Sequence, residues 1–283
     1  MKKCHQCGTL LPDTARFCVH CGAKQIERNE TEVPPSDALN FSGDLPKQLQ
    51  DRFFKALKTR VKEEHEADQF PIYSERLYES GFRDTVQLRT NQLSEEIRDL
   101  RDSGDLDQKQ AIIIMNLVFD ELLDFFIINF CKDINIIKLP EQILQYQGMD
   151  WDEINLLKMC KDYLDLKTEK EKFYTDFLLM PIEKLKTASK SFLFPDKKEK
   201  IYLICDQSLF GNFKEGFALT EKGLYWKAHL EKPRAVKFDS LDELKRHKDW
   251  ITINGFFFSV NKSINLKMLK LLKRIKSLQR KVI

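Results

Sequence analysis

The stretch IYLICDQSLFGNFKEGFALTEKGLYWK, residues 201–227, decides the fold that we expect for the C-terminal part of the chain. It reads as three short strands with turn-forming residues between them, at residues 201–205, 216–220 and 224–227. Ser208 and Gly211 lie in the first turn, and Gly223 closes the second. Because short apolar runs broken by tight turns are typical of an antiparallel meander, the stretch predicts a small sheet and not a catalytic loop.

Two further patterns follow this meander. Ser240 has Glu243 three residues after it, which is the spacing of a capping box and predicts a short helix through about His247. Asn254-Gly255 favours a type I′ turn, so the apolar residues on either side of it predict a β-hairpin.

The last part of the chain, residues 264–283, is an amphipathic helix that we expect Ser263 to cap. Its leucines recur at helical spacing, whereas lysine and arginine, with no acidic residue among them, occupy the other positions. Two interpretations are open. The helix either closes the small sheet with its leucines inward, or it lies on an anionic membrane or a nucleic acid.

Three segments of this region, residues 206–211, 215–220 and 223–227, resemble the bacterial pleckstrin-homology-like (GRAM-like) domains. The resemblance covers about residues 181–280. It implies a small, strongly bent antiparallel sheet or barrel, capped by a C-terminal helix, that serves as a binding platform. Members that hold phosphoinositides use several basic residues in the loop between the first two strands. Since that loop has only Lys214 here, a protein or peptide ligand is the better expectation.

The N-terminus carries two Cys-x-x-Cys-Gly knuckles, whose four cysteines are Cys4, Cys7, Cys18 and Cys21. Four thiolates in tetrahedral array suit one structural Zn²⁺ per chain, and a segment this short needs the metal to fold. A disulfide pair or an iron site is the alternative, and His5 or His20 could replace a thiolate. The pattern resembles the short zinc ribbon at the start of many bacterial proteins, with Phe17 before the third ligand.

The middle of the chain has helical periodicity, and its most apolar segment, residues 107–131, predicts a central helix that is buried on all sides. Asp120, Glu121 and Asp124 interrupt this segment, either as a solvated stripe or as a carboxylate metal site. Asp150 is expected to cap another helix that runs to about residue 177.

Together these patterns predict an α+β multidomain protein. Residues 1–26 form a zinc ribbon, 27–45 a flexible linker, 46–180 an all-α helical bundle, and 181–283 the pleckstrin-homology-like domain.

Charge is distributed unevenly along the chain. Residues 31–180 carry a net charge of −11 and residues 181–283 carry +12, which means either that the two parts dock or that a basic face awaits an anionic partner. No secretory signal or membrane span is visible, and four of the cysteines have metal-binding spacing, which indicates a cytoplasmic protein.

No nucleophile, base and acid stand in a catalytic pattern, so we expect no enzyme, no catalytic residues and no small-molecule substrate. The sequence favours a non-catalytic cytosolic adaptor that binds a protein partner through its pleckstrin-homology-like and helical domains. The alternative is binding of nucleic acid or an anionic membrane through the basic C-terminal region. The partner, the pathway and the oligomeric state do not follow from the sequence.

Overall fold

The computed structural model describes residues 2–4, 8–12, 15, 18, 20, 38–175 and 180–281. Contacts within the chain divide it into two compact units. Residues 28–147 form the helical unit, and residues 1–27 together with 148–283 form the sheet unit. The α+β class that the sequence predicts is confirmed, because helices and two antiparallel sheets are both present.

The helical unit is built from helices α1 (Leu45–Glu64), α2 (Phe70–Glu79), α3 (Phe82–Asp102) and α4 (Gln108–Phe130). Side chains cap two of them. The Asp44 carboxylate accepts a 3.1 Å hydrogen bond from the Lys47 amide at the start of α1. At the start of α4, Asp107 and Gln110 form a reciprocal capping box, which satisfies two amide groups that a helix start leaves without partners.

Helix α4 confirms the helix predicted at residues 107–131, but the prediction that it is buried on all sides is wrong. One face is buried, with Met115, Phe119 and Leu123 against the other helices. Ile113 and Phe125 are 37% and 41% exposed, so part of the helix surface meets solvent. Helices α1 and α3 and the 3₁₀ segment Glu141–Tyr146 contact α4, and they leave some of its apolar side chains in solvent.

The sheet unit contains a five-stranded and a three-stranded antiparallel sheet. The larger sheet has the order β3 (Lys172–Tyr174), β4 (Ile201–Asp206), β5 (Gly216–Thr220), β6 (Gly223–Lys227) and β7 (Arg234–Lys237). The smaller has the order β10 (Phe256–Phe258), β9 (Trp250–Ile253) and β8 (Leu244–His247), and β1 (Lys2–Lys3) pairs with β2 (Leu10–Leu11) in the ribbon. Helices α5 (Leu156–Leu164), α6 (Ile182–Ser191) and α7 (Lys262–Lys281) complete the unit.

The predicted meander and hairpin are both confirmed. Strands β4, β5 and β6 lie where residues 201–227 predict them. In the β9–β10 hairpin, Asn254 and Gly255 have φ angles of +50° and +82°, so both turn residues are left-handed as a type I′ turn requires.

Helix α7 runs through the interior of the sheet unit. Every residue from 264 to 272 is buried, because α5 contacts one side of the helix and β8 and β9 contact another. The cap differs from the expectation: the Asn261 side chain, and not that of Ser263, accepts the hydrogen bond from the Ile264 amide at 2.8 Å. The Ser263 hydroxyl donates instead to Glu169.

The long helix predicted from Asp150 to about residue 177 is not present. Helix α5 ends at Leu164 because Asp165 adopts a left-handed conformation with φ of +45°. Residues 172–174 then pair with β4 as strand β3. These contacts group residues 148–180 with the sheet unit, whereas the sequence assigns them to the helical domain.

The short helix predicted from Ser240 to His247 is also absent, and residues 244–247 form strand β8. The side chain of Asn254 binds backbone amides in this segment, where the sequence predicts a capping box. Its side-chain oxygen accepts hydrogen bonds from the amides of Asp242 and Glu243, at 2.9 and 3.0 Å. Pairing of β8 with β9 then holds the segment extended.

No helix within the described residues is both long enough and apolar enough to cross a bilayer.

Candidate metal centre and partner surface

The ribbon brings one predicted ligand from each knuckle into a common core. Cys4 and Cys18 are buried together with Leu11. The Cys4 amide donates to Thr9 O at 2.8 Å and the Gly8 amide donates to Cys4 O at 2.9 Å, which closes the first knuckle. Gly8 has a φ of +72°, which explains why glycine follows the second cysteine. The predicted ligands Cys7 and Cys21, and also His5, lie outside the described residues.

The surroundings of Cys18 fit a metal-bound thiolate. The His20 amide donates a hydrogen bond to the Cys18 sulfur at 3.4 Å, and such a bond favours the charged form of the sulfur. His20 thus contributes a backbone group to this knuckle. Among the residues that the structure describes, which include two of the four cysteines, no group of three metal-binding side chains is assembled.

Three other thiols, those of Cys131, Cys160 and Cys205, lie in the cores of the two units. Burial raises the pKa of Cys131 and that of Cys160 to about 12 each, and it raises the pKa of Cys205 as well. These thiols are therefore protonated at neutral pH. Since the thiolate is the reactive form, the three side chains fit a packing role.

The carboxylates of α4 that could suggest a metal site instead bind an arginine. Arg60 of α1 contacts Asp124 at 2.6 Å and Glu64 at 3.4 Å, and it also pairs with Asp120. Burial opposes the charge of Arg60, but the three carboxylates outweigh that effect and raise its pKa. Asp120 and Asp124 therefore fasten α1 to α4, and the metal-site interpretation of these residues is wrong.

The basic helix α7 is partly internal. Lys267 is 2% exposed, and its ammonium group lies 2.6 Å from the buried carboxylate of Glu169. Lys270 is 5% exposed. Burial opposes the charge of Glu169, whereas hydrogen bonds from Lys267 and Ser263 outweigh it and lower the pKa of Glu169. Two cations of the predicted basic face are thus unavailable to an anionic partner.

The helical unit exposes two aromatic rings that are held by neighbouring residues at the start of α3. Phe82 stacks on Phe125, with ring centres 5.8 Å apart. The Arg83 guanidinium lies 5.0 Å from the centre of the Tyr78 ring. Tyr78 is 51% exposed and Phe125 is 41% exposed, so both rings present large areas to solvent. We call Tyr78, Phe82, Arg83 and Phe125 the aromatic corner.

Sequence reasoning missed the aromatic corner. The exposure of Tyr78 was not predicted, and Phe125 belongs to the helix at residues 107–131 that the sequence predicts to be buried. One signal was available: Ser80-Gly81 is a turn signal, and turns between helices lie at the protein surface, where side chains such as Tyr78 can be exposed.

A zinc-ribbon domain model matches residues 3–25 of the chain. This match supports the assignment of the two knuckles to a zinc-binding structural element. No curated protein and no solved structure matches the chain. The pleckstrin-homology-like assignment of the C-terminal region therefore stays a prediction.

Proposed function

We propose that this protein is a non-catalytic adaptor that binds a protein partner through the aromatic corner of its helical unit. The observation that carries the proposal is the joint exposure of Tyr78 and Phe125, each held in place by a ring or a guanidinium group. Tyrosine and arginine are enriched among the residues that contribute most to protein–protein binding. Rings that are already oriented also lose little conformational entropy when a partner covers them.

Zinc has a supporting role in this proposal. Cys4, Cys7, Cys18 and Cys21 would hold the ion with four thiolates, which leaves no open coordination position for a substrate. When bound, the ion supplies folding energy to the ribbon and no catalytic step.

Helix α7 is not the surface that we propose, although its basic residues suggest nucleic acid or an anionic membrane as ligands. Lys267 and Lys270 are buried, so the helix presents fewer cations than its sequence indicates. Binding to phosphates would also make affinity fall steeply with salt, whereas an aromatic contact depends on salt much less.

The test compares two full-length variants as baits in lysate of the native host. One combines Tyr78→Ser with Phe125→Ser, and the other is Leu88→Ser, which removes an apolar side chain of α3 that is 61% exposed. We expect a protein that wild type and Leu88→Ser retain equally and that the double variant retains about tenfold less. Equal retention by all three proteins, with unchanged circular dichroism, would contradict the proposal.

A further inference from the structure

The zinc ribbon is packed against the five-stranded sheet. Contacts within the chain group residues 1–27 with the sheet unit. Gly8, which ends the first knuckle, lies against the side chain of Lys237, the last residue of the edge strand β7. A Cβ atom at Gly8 would lie 3.2 Å from Lys237 Cγ and 3.9 Å from its Cε. The backbone of the knuckle is therefore in close contact with the aliphatic part of this lysine.

Lys237 is held in place by its ammonium group. Nζ lies 2.9 Å from a carboxylate oxygen of Asp196 and 3.4 Å from one of Glu199, and it donates to the Tyr225 hydroxyl oxygen at 3.2 Å. The side chain is only 18% exposed. Lys237 thus gives the knuckle a fixed support, which a solvated surface lysine would not provide.

Lys237 also belongs to a buried polar cluster. The Glu199 side chain is fully buried, and it accepts hydrogen bonds from the hydroxyls of Thr220 and Tyr225, the latter at 3.2 Å. The Thr220 hydroxyl oxygen in turn accepts from the Gly223 amide at 3.0 Å, across the β5–β6 turn. We call Glu199, Thr220, Tyr225 and Lys237 the carboxylate cluster. Because a buried carboxylate depends on its partners, a displacement of Lys237 also affects this turn.

The position of Gly8 depends in turn on the metal. The Gly8 amide donates to Cys4 O at 2.9 Å, so the glycine is placed by a residue that we assign as a zinc ligand. A ribbon of this length folds only when the metal is bound, because binding supplies its folding energy. Loss of zinc therefore removes the knuckle from Lys237. By thermodynamic linkage, packing on Lys237 raises the affinity of the ribbon for zinc by the same factor.

We propose that zinc occupancy of the ribbon controls the order of strand β7 and of the carboxylate cluster. With zinc bound, Gly8 packs on Lys237 and restrains both. Without zinc, the knuckle leaves Lys237, and the edge of the sheet loosens and becomes accessible. This zinc-responsive surface lies on the sheet unit, so it goes beyond the partner binding proposed for the aromatic corner. It rests on the zinc site assigned to the four ribbon cysteines.

The first test is hydrogen exchange of the full-length protein before and after removal of zinc with a chelator. Elemental analysis verifies the metal content of both samples. We expect the amides of β7 and of the β5–β6 turn to exchange about tenfold faster without zinc, because local opening becomes easier there. Amides of α4, in the helical unit, are the internal control and should exchange at the same rate in both samples.

The second test compares Lys237→Ala with Lys237→Met in the full-length protein. Both variants remove the ammonium group that faces Glu199, but only alanine also removes the aliphatic stem that contacts Gly8. Competition with a chelating dye measures the zinc affinity of each. We expect Lys237→Met to bind zinc like wild type and Lys237→Ala to bind it about tenfold more weakly.

Either of two results would overturn the proposal: unchanged exchange in β7 after verified loss of zinc, or equal zinc affinities of the two Lys237 variants. Purified protein that contains no zinc would overturn the zinc assignment together with the proposal. Elemental analysis therefore distinguishes a wrong zinc site from a correct zinc site that does not influence the sheet.

Discussion

Several charged side chains inside the two units are matched by opposite charge or hydrogen bonds. Arg60 meets three carboxylates, and Lys267 meets Glu169. Glu199 is buried beside Tyr225, whose hydroxyl donates to it at 3.2 Å, and beside Lys237 at 3.4 Å. A buried charge without such partners would be very unfavourable. These contacts therefore explain how the groups are accommodated inside the units.

At the scale of single residues, the first prediction concerns Gly216, whose position leaves no room for a side chain. Its φ is +141°, and a Cβ atom there would lie 2.0 Å from the Cys205 carbonyl oxygen. We expect Gly216→Ala to destabilise the sheet unit by about 3 kcal/mol or more, because a strand of the sheet must move. Urea unfolding followed by tryptophan fluorescence measures this change.

Gly255 provides the matched control for Gly216. It also has a positive φ, +82°, but a Cβ atom there would meet nothing within 4 Å. Gly255→Ala should therefore cost only about 1 kcal/mol, from backbone conformation alone. Equal losses for the two variants would show that crowding at Cys205 O is not the cause.

The second prediction concerns the four ribbon cysteines. We expect elemental analysis of the purified protein to find about one zinc per chain, since four thiolates complete a tetrahedral site. Cys18→Ser combined with Cys21→Ser should remove the metal, whereas Cys160→Ser, at a buried thiol of the sheet unit, should keep it. Zinc that persists in the first variant would place the metal elsewhere.

At the scale of secondary-structure elements, helix α7 contributes many buried side chains to the core of the sheet unit. Its buried ion pair between Lys267 and Glu169 gives the third prediction. The pKa of Glu169 is lowered in the folded protein. Its contribution to stability is therefore present above the ordinary glutamate pKa of about 4.3 and is lost as pH falls through the lower folded value. Between about pH 6 and about pH 3, wild type should lose more stability than Glu169→Gln does.

Urea midpoints at the two pH values provide the measurement. Glu169→Gln leaves Lys267 without its carboxylate and should be less stable than wild type at the higher pH. The prediction is therefore tested by how much stability each protein loses between the two pH values, and not by its stability at either one. If acid destabilises both proteins equally, the contact with Lys267 does not lower the pKa of Glu169.

The elements that the sequence predicts well are those that depend on local signals. Strands β4 to β6 and the β9–β10 hairpin follow from apolar runs and turn residues that are close in sequence. Strand β3 was missed because its partner is distant: Lys172 pairs with Asp206. Strand β8 was missed because a local capping pattern at Ser240 and Glu243 competes with pairing to β9. Pairing across the sheet overrides the local preference there.

At the scale of the whole molecule, the candidate sites differ in how far the sequence predicts them. The zinc ribbon is predicted because its four ligands lie in one short segment with regular spacing. The aromatic corner is not, because the exposure of Tyr78 and Phe125 depends on which sides of α2 and α4 the other helices cover. The burial of Lys267 is likewise unpredictable from the sequence of α7, because its partner Glu169 precedes it by almost a hundred residues.

The most direct test of the adaptor proposal is photo-crosslinking from position 78 in the native host. Tyr78 of the full-length protein is replaced by a photoreactive phenylalanine analogue, and the same analogue is placed at Leu88 as a control. We predict one discrete crosslinked partner from position 78, absent from position 88 and lost when Phe125→Ser is added. The proposal is contradicted if position 78 gives no adduct, or if both positions give the same adducts.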